Sequence, residues 1–173
     1  MNIIRRIKET CADGPDIRYS IYLAGCTHGC DSCHNPESWD FTAGELMTNQ
    51  IIEEIKEDII NNSILGGITI SGGDPMDNAS GLLHLLQELA PLNKNIWVYT
   101  GYTIEEILNT NVDTDMIMCL KYIDILVDGE YKKEFHDTSD FKGSTNQRFI
   151  LAKECLINYK KNGRVLTEVL IRK

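Results

Sequence analysis

Short runs of β-branched and aromatic residues recur along this chain, each followed by helical spacing, and that alternation limits its folds more than any other feature. IRYSIYLAG (17–25), GGITISGG (66–73), NIWVYTG (95–101), YIDILVDG (122–129) and RFILA (148–152) read as strands, with VLTEVLI (165–171) as a last one. Between them, TNQIIEEIKEDIINN (48–62) sets Ile52, Ile55 and Ile59 on one helical stripe behind Thr48, a suitable N-cap. SGLLHLLQELAP (80–91) aligns Leu82, Leu86 and Leu89 and is stopped before Pro91. Thr103 followed three residues later by Glu106 is a capping-box signature. DTDMIMCLKY (113–122) and the segment from Ala152 to Lys161 supply the remaining helices.

Strands alternating with helices imply right-handed crossovers and a parallel sheet. About five to six mostly parallel strands predict an α/β fold built on an open sheet or partial β/α barrel. The working end of such a sheet is the carboxyl end of its strands. The glycines closing 66–73 and a cysteine-rich loop after 17–25 both fall there.

At 173 residues the chain is read as one domain, 1–173, long enough to bury a substantial core. Its 42% hydrophobic and 25% charged residues suit an ordinary globular protein, and no apolar run reaches membrane-spanning length. The opening MNIIRRIKETCADGPD carries arginines but no apolar h-region, so a cytoplasmic location is expected. A net charge of −9 argues against a nucleic-acid partner, which would need a basic surface. In a reducing compartment, clustered cysteines point to metal or chemistry before disulfides.

That cluster is GCTHGCDSCHNPESW (25–39), with Cys26-x3-Cys30-x2-Cys33 at its centre. Four readings compete. The three cysteines share one face of a helix, although Gly25 and Gly29 discourage one. CDSCH (30–34) spells a haem-attachment motif, which belongs to exported proteins and leaves Cys26 unused. A zinc site could add His28 or His34 as a fourth ligand but lacks a second cysteine pair. An iron–sulfur cubane takes four ligands, so three cysteines would leave one iron open to an exogenous ligand, as in catalytic metal sites.

Taken with SGGDP (71–75), the cluster resembles the radical S-adenosylmethionine superfamily, whose partial barrel this chain would then share. The resemblance implies one 4Fe-4S cluster on Cys26, Cys30 and Cys33, with the amino and carboxylate groups of S-adenosylmethionine on the fourth iron. It implies adenine contacts from the backbone of Ser32, Cys33 and His34, and acceptors for the cofactor ammonium at Gly72, Gly73 and the Asp74 region. The family's usual aromatic residue before the last cysteine is Ser32 here, and its commoner glutamate is Asp74.

ADGPDIR (12–18) is similar to the DGPGIR of the branch that activates glycyl-radical enzymes, with Asp16 at the glycine position. WVYTGY (97–102) and VDGEYKKEFHDTSDFKGSTNQRF (127–149) resemble the members serving anaerobic ribonucleoside-triphosphate reductase. The large reductase subunit is then the implied partner, in a complex or beside a homodimer, with reduced flavodoxin or a similar protein as electron donor. The implied reaction is reductive cleavage of S-adenosylmethionine to a 5′-deoxyadenosyl radical that takes hydrogen from a glycine of the reductase.

Residues 129 to 147 form a polar stretch whose Lys132, Lys133 and Lys142, with Arg148 just beyond, contrast with the acidic whole. It reads either as a surface loop or as a lid or docking surface. Asp128, at a strand's carboxyl end, is a candidate contact to cofactor or cation, or a turn residue. Cys11, Cys119 and Cys155 carry no expected role, and the side chains of His28 and His34 are expected only to shape the loop.

Overall fold

The computed structural model describes residues 1–110, 114–137 and 140–166. Its strands are β1 (Asn2–Thr10), β2 (Ile17–Leu23), β3 (Glu45–Leu46), β4 (Leu65–Gly72), β5 (Asn95–Tyr99), β6 (Ile125–Asp128) and β7 (Arg148–Leu151). Its helices are α1 (Asn49–Ile60), α2 (Ala79–Leu89), α3 (Ile104–Asn109), α4 (Thr114–Cys119) and α5 (Ala152–Asn162). One open seven-stranded sheet runs β3-β1-β2-β4-β5-β6-β7. Strands β2, β4, β5 and β6 are parallel neighbours, while β1, β3 and β7 pair antiparallel.

The parallel strands advance in chain order across the sheet, so right-handed crossovers place their helices on the same face. That face buries Ile21, Ile68, Ile70, Val98 and Leu126 against Ile55 of α1, the leucines of α2 and Ile107 of α3. Leu82, Leu85, Leu86 and Leu89 are each 0% exposed, and burial of each contributes roughly 1.5–3 kcal/mol. Thr48 caps α1 by accepting from the Ile51 N–H, and the capping box of Thr103 and Glu106 opens α3 as expected. Alternate residues of the same strands turn to the opposite face, where Trp97, Ile125, Val127 and Phe149 form a smaller cluster. Arg18 lies under Trp97 at 5.2 Å, and its guanidinium bonds Thr69 Oγ1 and the Ile68 and Asn95 carbonyls. The helices leave this inner face free for a site.

Among the described residues the expected five to six mostly parallel strands are corrected to seven, of which four are mutually parallel. β1 escapes a period-two reading because NIIRRIKET buries only Ile3, and its charged side chains pair outward, Arg6 with Glu54 and Lys8 with Asp58. β7 reverses because the described residues of 129–147 return from the end of β6 without a crossover helix, so Asp128 pairs with Arg148. The strand expected at 165–171 lies outside the described residues from 167 onward. Among the described residues no helix is long and apolar enough to cross a membrane.

Candidate functional site

A cleft of about 350 Å³ opens where the parallel strands end. Cys26, Cys30 and Cys33 line it from the loop after β2, Gly73 and Asp74 from the turn after β4, and Thr100 and Gly101 from that after β5. Tyr22 and Tyr99 form part of its inner wall.

The cysteine loop is not helical. Gly25 (φ +100°), Gly29 (φ +60°) and Ser32 (φ +58°) take left-handed backbone, which removes the single-helix-face reading. The turns aim backbone amides at sulfur. Cys33 Sγ accepts from the Asn35 N–H at 3.4 Å, and the backbone amides of His28 and Gly29 beside Cys26 and of Tyr131 beside Cys30 favour the thiolate there. All the cysteines are free thiols, and those of the cluster are half-buried. Burial outweighs these amides, pushing the Cys26 thiol up to about 11 and raising Cys30 as well. Such donors suit cluster thiolates, whose charge they stabilise. Among the described residues no group of three or more His, Cys, Asp or Glu side chains is arranged to hold a single metal ion, as structural zinc requires.

The glycine-rich turn is stitched to this loop. Gly73 N–H donates to the Leu23 carbonyl and Asp74 N–H to the Gly25 carbonyl, each at 2.8 Å. A Cβ on Gly73 would run into that Gly25 carbonyl, and Gly72 (φ +107°) lies as close to Leu23. The glycines therefore serve the approach of two strand ends, and they also expose backbone to the cleft.

Asp74 is 3% exposed and its carboxylate is fully engaged. It accepts from the N–H of Met76 (2.9 Å), the N–H of Gly101 (2.7 Å) and the Thr100 hydroxyl (2.8 Å). Its Oδ2 also faces His28 Nε2 at 2.7 Å. The Asp74 hydrogen bond, opposed by burial, pushes His28 up to about 9. One turn on, Asp77 accepts from the Thr27 N–H (2.6 Å) and the Tyr102 hydroxyl (2.7 Å). Both residues following Cys26 are thus anchored to the β4–α2 turn.

Glu130, Tyr131 and His136 pack over the cysteine loop. The ring of Tyr131 lies 4.7 Å from that of His34, and His136 meets His34 edge-on at 5.4 Å. Gln147 Oε1 accepts from the Gly143 and Ser144 N–H groups, and its Nε2 donates to the Gly129 carbonyl. Asn146 donates to the Glu130 carbonyl at 2.8 Å. The KGSTNQR run therefore braces the loop from inside. Asp16 takes φ +62°, so the turn of the DGPDIR segment keeps the left-handed residue that glycine would supply. Ahead of it, Asp13 accepts from the Tyr22 hydroxyl at 2.6 Å.

Of the residues singled out from sequence, Cys26, Cys30, Cys33, His34, Gly72, Gly73 and Asp74 line the cleft together. Ser32 and Asp128 do not. Asp128 is 0% exposed, accepts from the Ile104 N–H at 2.7 Å and pairs with Arg148. Sequence reading gave His28 no partner and passed over Thr27, Asp77, Thr100 and Gln147. Their contacts span long separations that leave no local pattern, and only the Asp74/Asp77 spacing hinted at a shared turn.

A family model described as a 4Fe-4S single cluster domain matches residues 12–150. A protein of Haemophilus influenzae named anaerobic ribonucleoside-triphosphate reductase-activating protein is 36% identical over 157 residues, spanning 85% of this chain and 96% of the relative. Proteins of the same name from Enterobacteria phage T4 and Escherichia coli are each 32% identical over 153 residues. These alignments span 86% and 85% of this chain, and 92% and 96% of the relatives.

Proposed function

The chain belongs to the 4Fe-4S single cluster domain family and to the family of anaerobic ribonucleoside-triphosphate reductase-activating proteins, and on that basis we propose that it is a radical S-adenosylmethionine enzyme that activates such a reductase. The observation that carries the reading is the meeting of Cys26, Cys30 and Cys33 with Gly72 and Gly73 in one cleft.

Cys26, Cys30 and Cys33 would hold three irons of one 4Fe-4S cluster, with the fourth left to the amino and carboxylate groups of S-adenosylmethionine. The backbone of Ser32, Cys33 and His34 would meet the adenine, and the carbonyls of Gly72 and Gly73, on the turn that Asp74 shapes, would accept from the ammonium. Asp128 would act from behind, fixing the base of the 129–147 loop. When bound, the cluster would supply the one-electron reduction, drawn from a reduced flavodoxin-like donor, that splits S-adenosylmethionine into methionine and a 5′-deoxyadenosyl radical, and that radical would take hydrogen from a glycine Cα of the large reductase subunit. The chain's own residues supply ligation, orientation and a wall against water, and the reaction needs no general base from them. The open sheet, with helices on one face and a site on the other, is read as the superfamily's partial barrel, working in the cytoplasm.

Anaerobic reconstitution with iron and sulfide, followed by metal analysis, tests the centre; zinc without iron would end the reading. Mixing the loaded protein with a reductase, S-adenosylmethionine and dithionite should give a glycyl-radical doublet in electron paramagnetic resonance. Cofactor cleavage with no doublet would point to another target. Cys26→Ala, Cys30→Ala and Cys33→Ala should each abolish cleavage, and full activity in any one would refute the ligand set.

A further inference from the structure

We infer that His28 is a positioning residue: through Asp74 it locks the stretch between Cys26 and Cys30 onto the glycine-rich turn and so sets the cluster thiols against the cofactor-binding backbone. The inference rests on the function proposed above. His28 is two residues from each of these cysteines, so any shift of its ring carries both ligands with it. Its side chain is 13% exposed, and its two ring nitrogens face carboxylates on two other segments. Nε2 lies 2.7 Å from Asp74 on the glycine-rich turn, and Nδ1 lies 3.3 Å from Glu130 on the 129–147 loop. The ring also meets Tyr102 edge-on at 4.6 Å.

Two independent features show that the place of the ring is built. Residue 101 is glycine, and a Cβ there would strike the imidazole at 2.7 Å. Asp74 spends its other bonds on Met76, Thr100 and Gly101, which fixes the one oxygen that His28 meets. The short aspartate can fold back onto the Met76 N–H while presenting Oδ2 to the loop, an arrangement that suits aspartate better than a longer carboxylate. Asp77 holds Thr27 in parallel, so the two carboxylates of one turn grip consecutive residues of the cysteine loop. The proposal assigns Asp74 a role in spacing the site, with the cofactor ammonium left to backbone carbonyls.

The test compares His28→Ala and His28→Gln in the full chain. Glutamine keeps an N–H that reaches Asp74, and alanine keeps none. In metal-free protein, amides of residues 26–33 should exchange faster in His28→Ala and near the wild-type rate in His28→Gln. In reconstituted protein, His28→Ala should bind S-adenosylmethionine about tenfold more weakly, roughly 1.4 kcal/mol. The change that the cofactor induces in the cluster's paramagnetic spectrum should be blunted as well, and His28→Gln should restore both. Wild-type affinity, spectrum and exchange in His28→Ala would overturn the proposal. So would equal impairment of both variants, because the ring and not its bond to Asp74 would then matter. If wild-type protein itself loads no iron or ignores S-adenosylmethionine, the proposed function fails, while the exchange comparison still decides the clamp.

Discussion

Arg148 and Asp128 face each other across the base of the 129–147 loop, with Nη2 2.6 Å from Oδ2 and Nε 3.0 Å from Oδ1. Glu105 takes the far side of the same guanidinium at 2.6 Å. Because Asp128 is fully buried, removing its cation strands a charge, which costs about 3 kcal/mol or more. Arg148→Met should lower the unfolding free energy, read from a denaturant titration, by that amount, and a loss under about 1 kcal/mol would show the pair to be incidental. Hydrogen bonding to Arg148 also holds Glu105 below its usual carboxylate range. Its share of the stability is present at neutral pH and fades as the pH falls through that lowered value. The variant should lose this part of the acid response.

Gln147 is 8% exposed and satisfies two amides and one carbonyl of the loop it terminates. Gln147→Ala leaves those groups without a partner, at a cost of about 1–3 kcal/mol each where water cannot replace it. Limited proteolysis should then cut within 129–147 faster, with global unfolding changed less. An unaltered cleavage rate would mean that the loop's other contacts, among them Asn146 to Glu130 and Tyr131 to His34, hold it without Gln147.

The parts of this fold that could be read in advance were those whose cause is local. Ile52, Ile55 and Ile59 are spaced for one helix face, and Thr103 with Glu106 announces a helix start; all are found so. The left-handed turn at Asp16 could be foreseen because aspartate tolerates what glycine prefers. β1 could not, since Arg6 and Lys8 on one side pair with Glu54 and Asp58 of α1 and Arg5 on the other lies over Tyr22, so neither side reads as apolar. The reversal of β7 is hidden because alternation with helices implies a parallel sheet, whereas the described residues of 129–147 carry no crossover helix. Within the site, the cysteine spacing and the glycine pair were legible. The His28–Asp74 pair joins residues 46 positions apart and leaves no periodic trace.

Gly73 offers a direct probe of how the cysteine loop and the glycine turn share space. A methyl there must displace the Gly25 carbonyl or that of Ser38, both backbone, so the strain falls on the loop carrying the ligands. Gly73→Ala should destabilise by about 1–3 kcal/mol and also reduce iron retained after desalting. Leu86→Ala should cost a similar or larger amount, about 2–5 kcal/mol, with iron retention intact, because Leu86 packs on the helix side of the sheet. Equal iron loss in both variants would mean that general instability, and not local crowding, empties the site.

Ser32 separates a backbone role from a side-chain role at the cofactor. It is held at φ +58°, a conformation that costs an ordinary residue about 1–2 kcal/mol and glycine almost nothing. Part of that relief is offset by the greater freedom of glycine in the unfolded chain, leaving a net gain of about 1 kcal/mol or less. Ser32→Gly should therefore melt slightly higher than wild type. If adenine is met by the backbone of residues 32 to 34, affinity for S-adenosylmethionine should be unchanged, since no side-chain atom is involved. A fall of tenfold in affinity, with stability raised or equal, would assign the contact to the Ser32 hydroxyl.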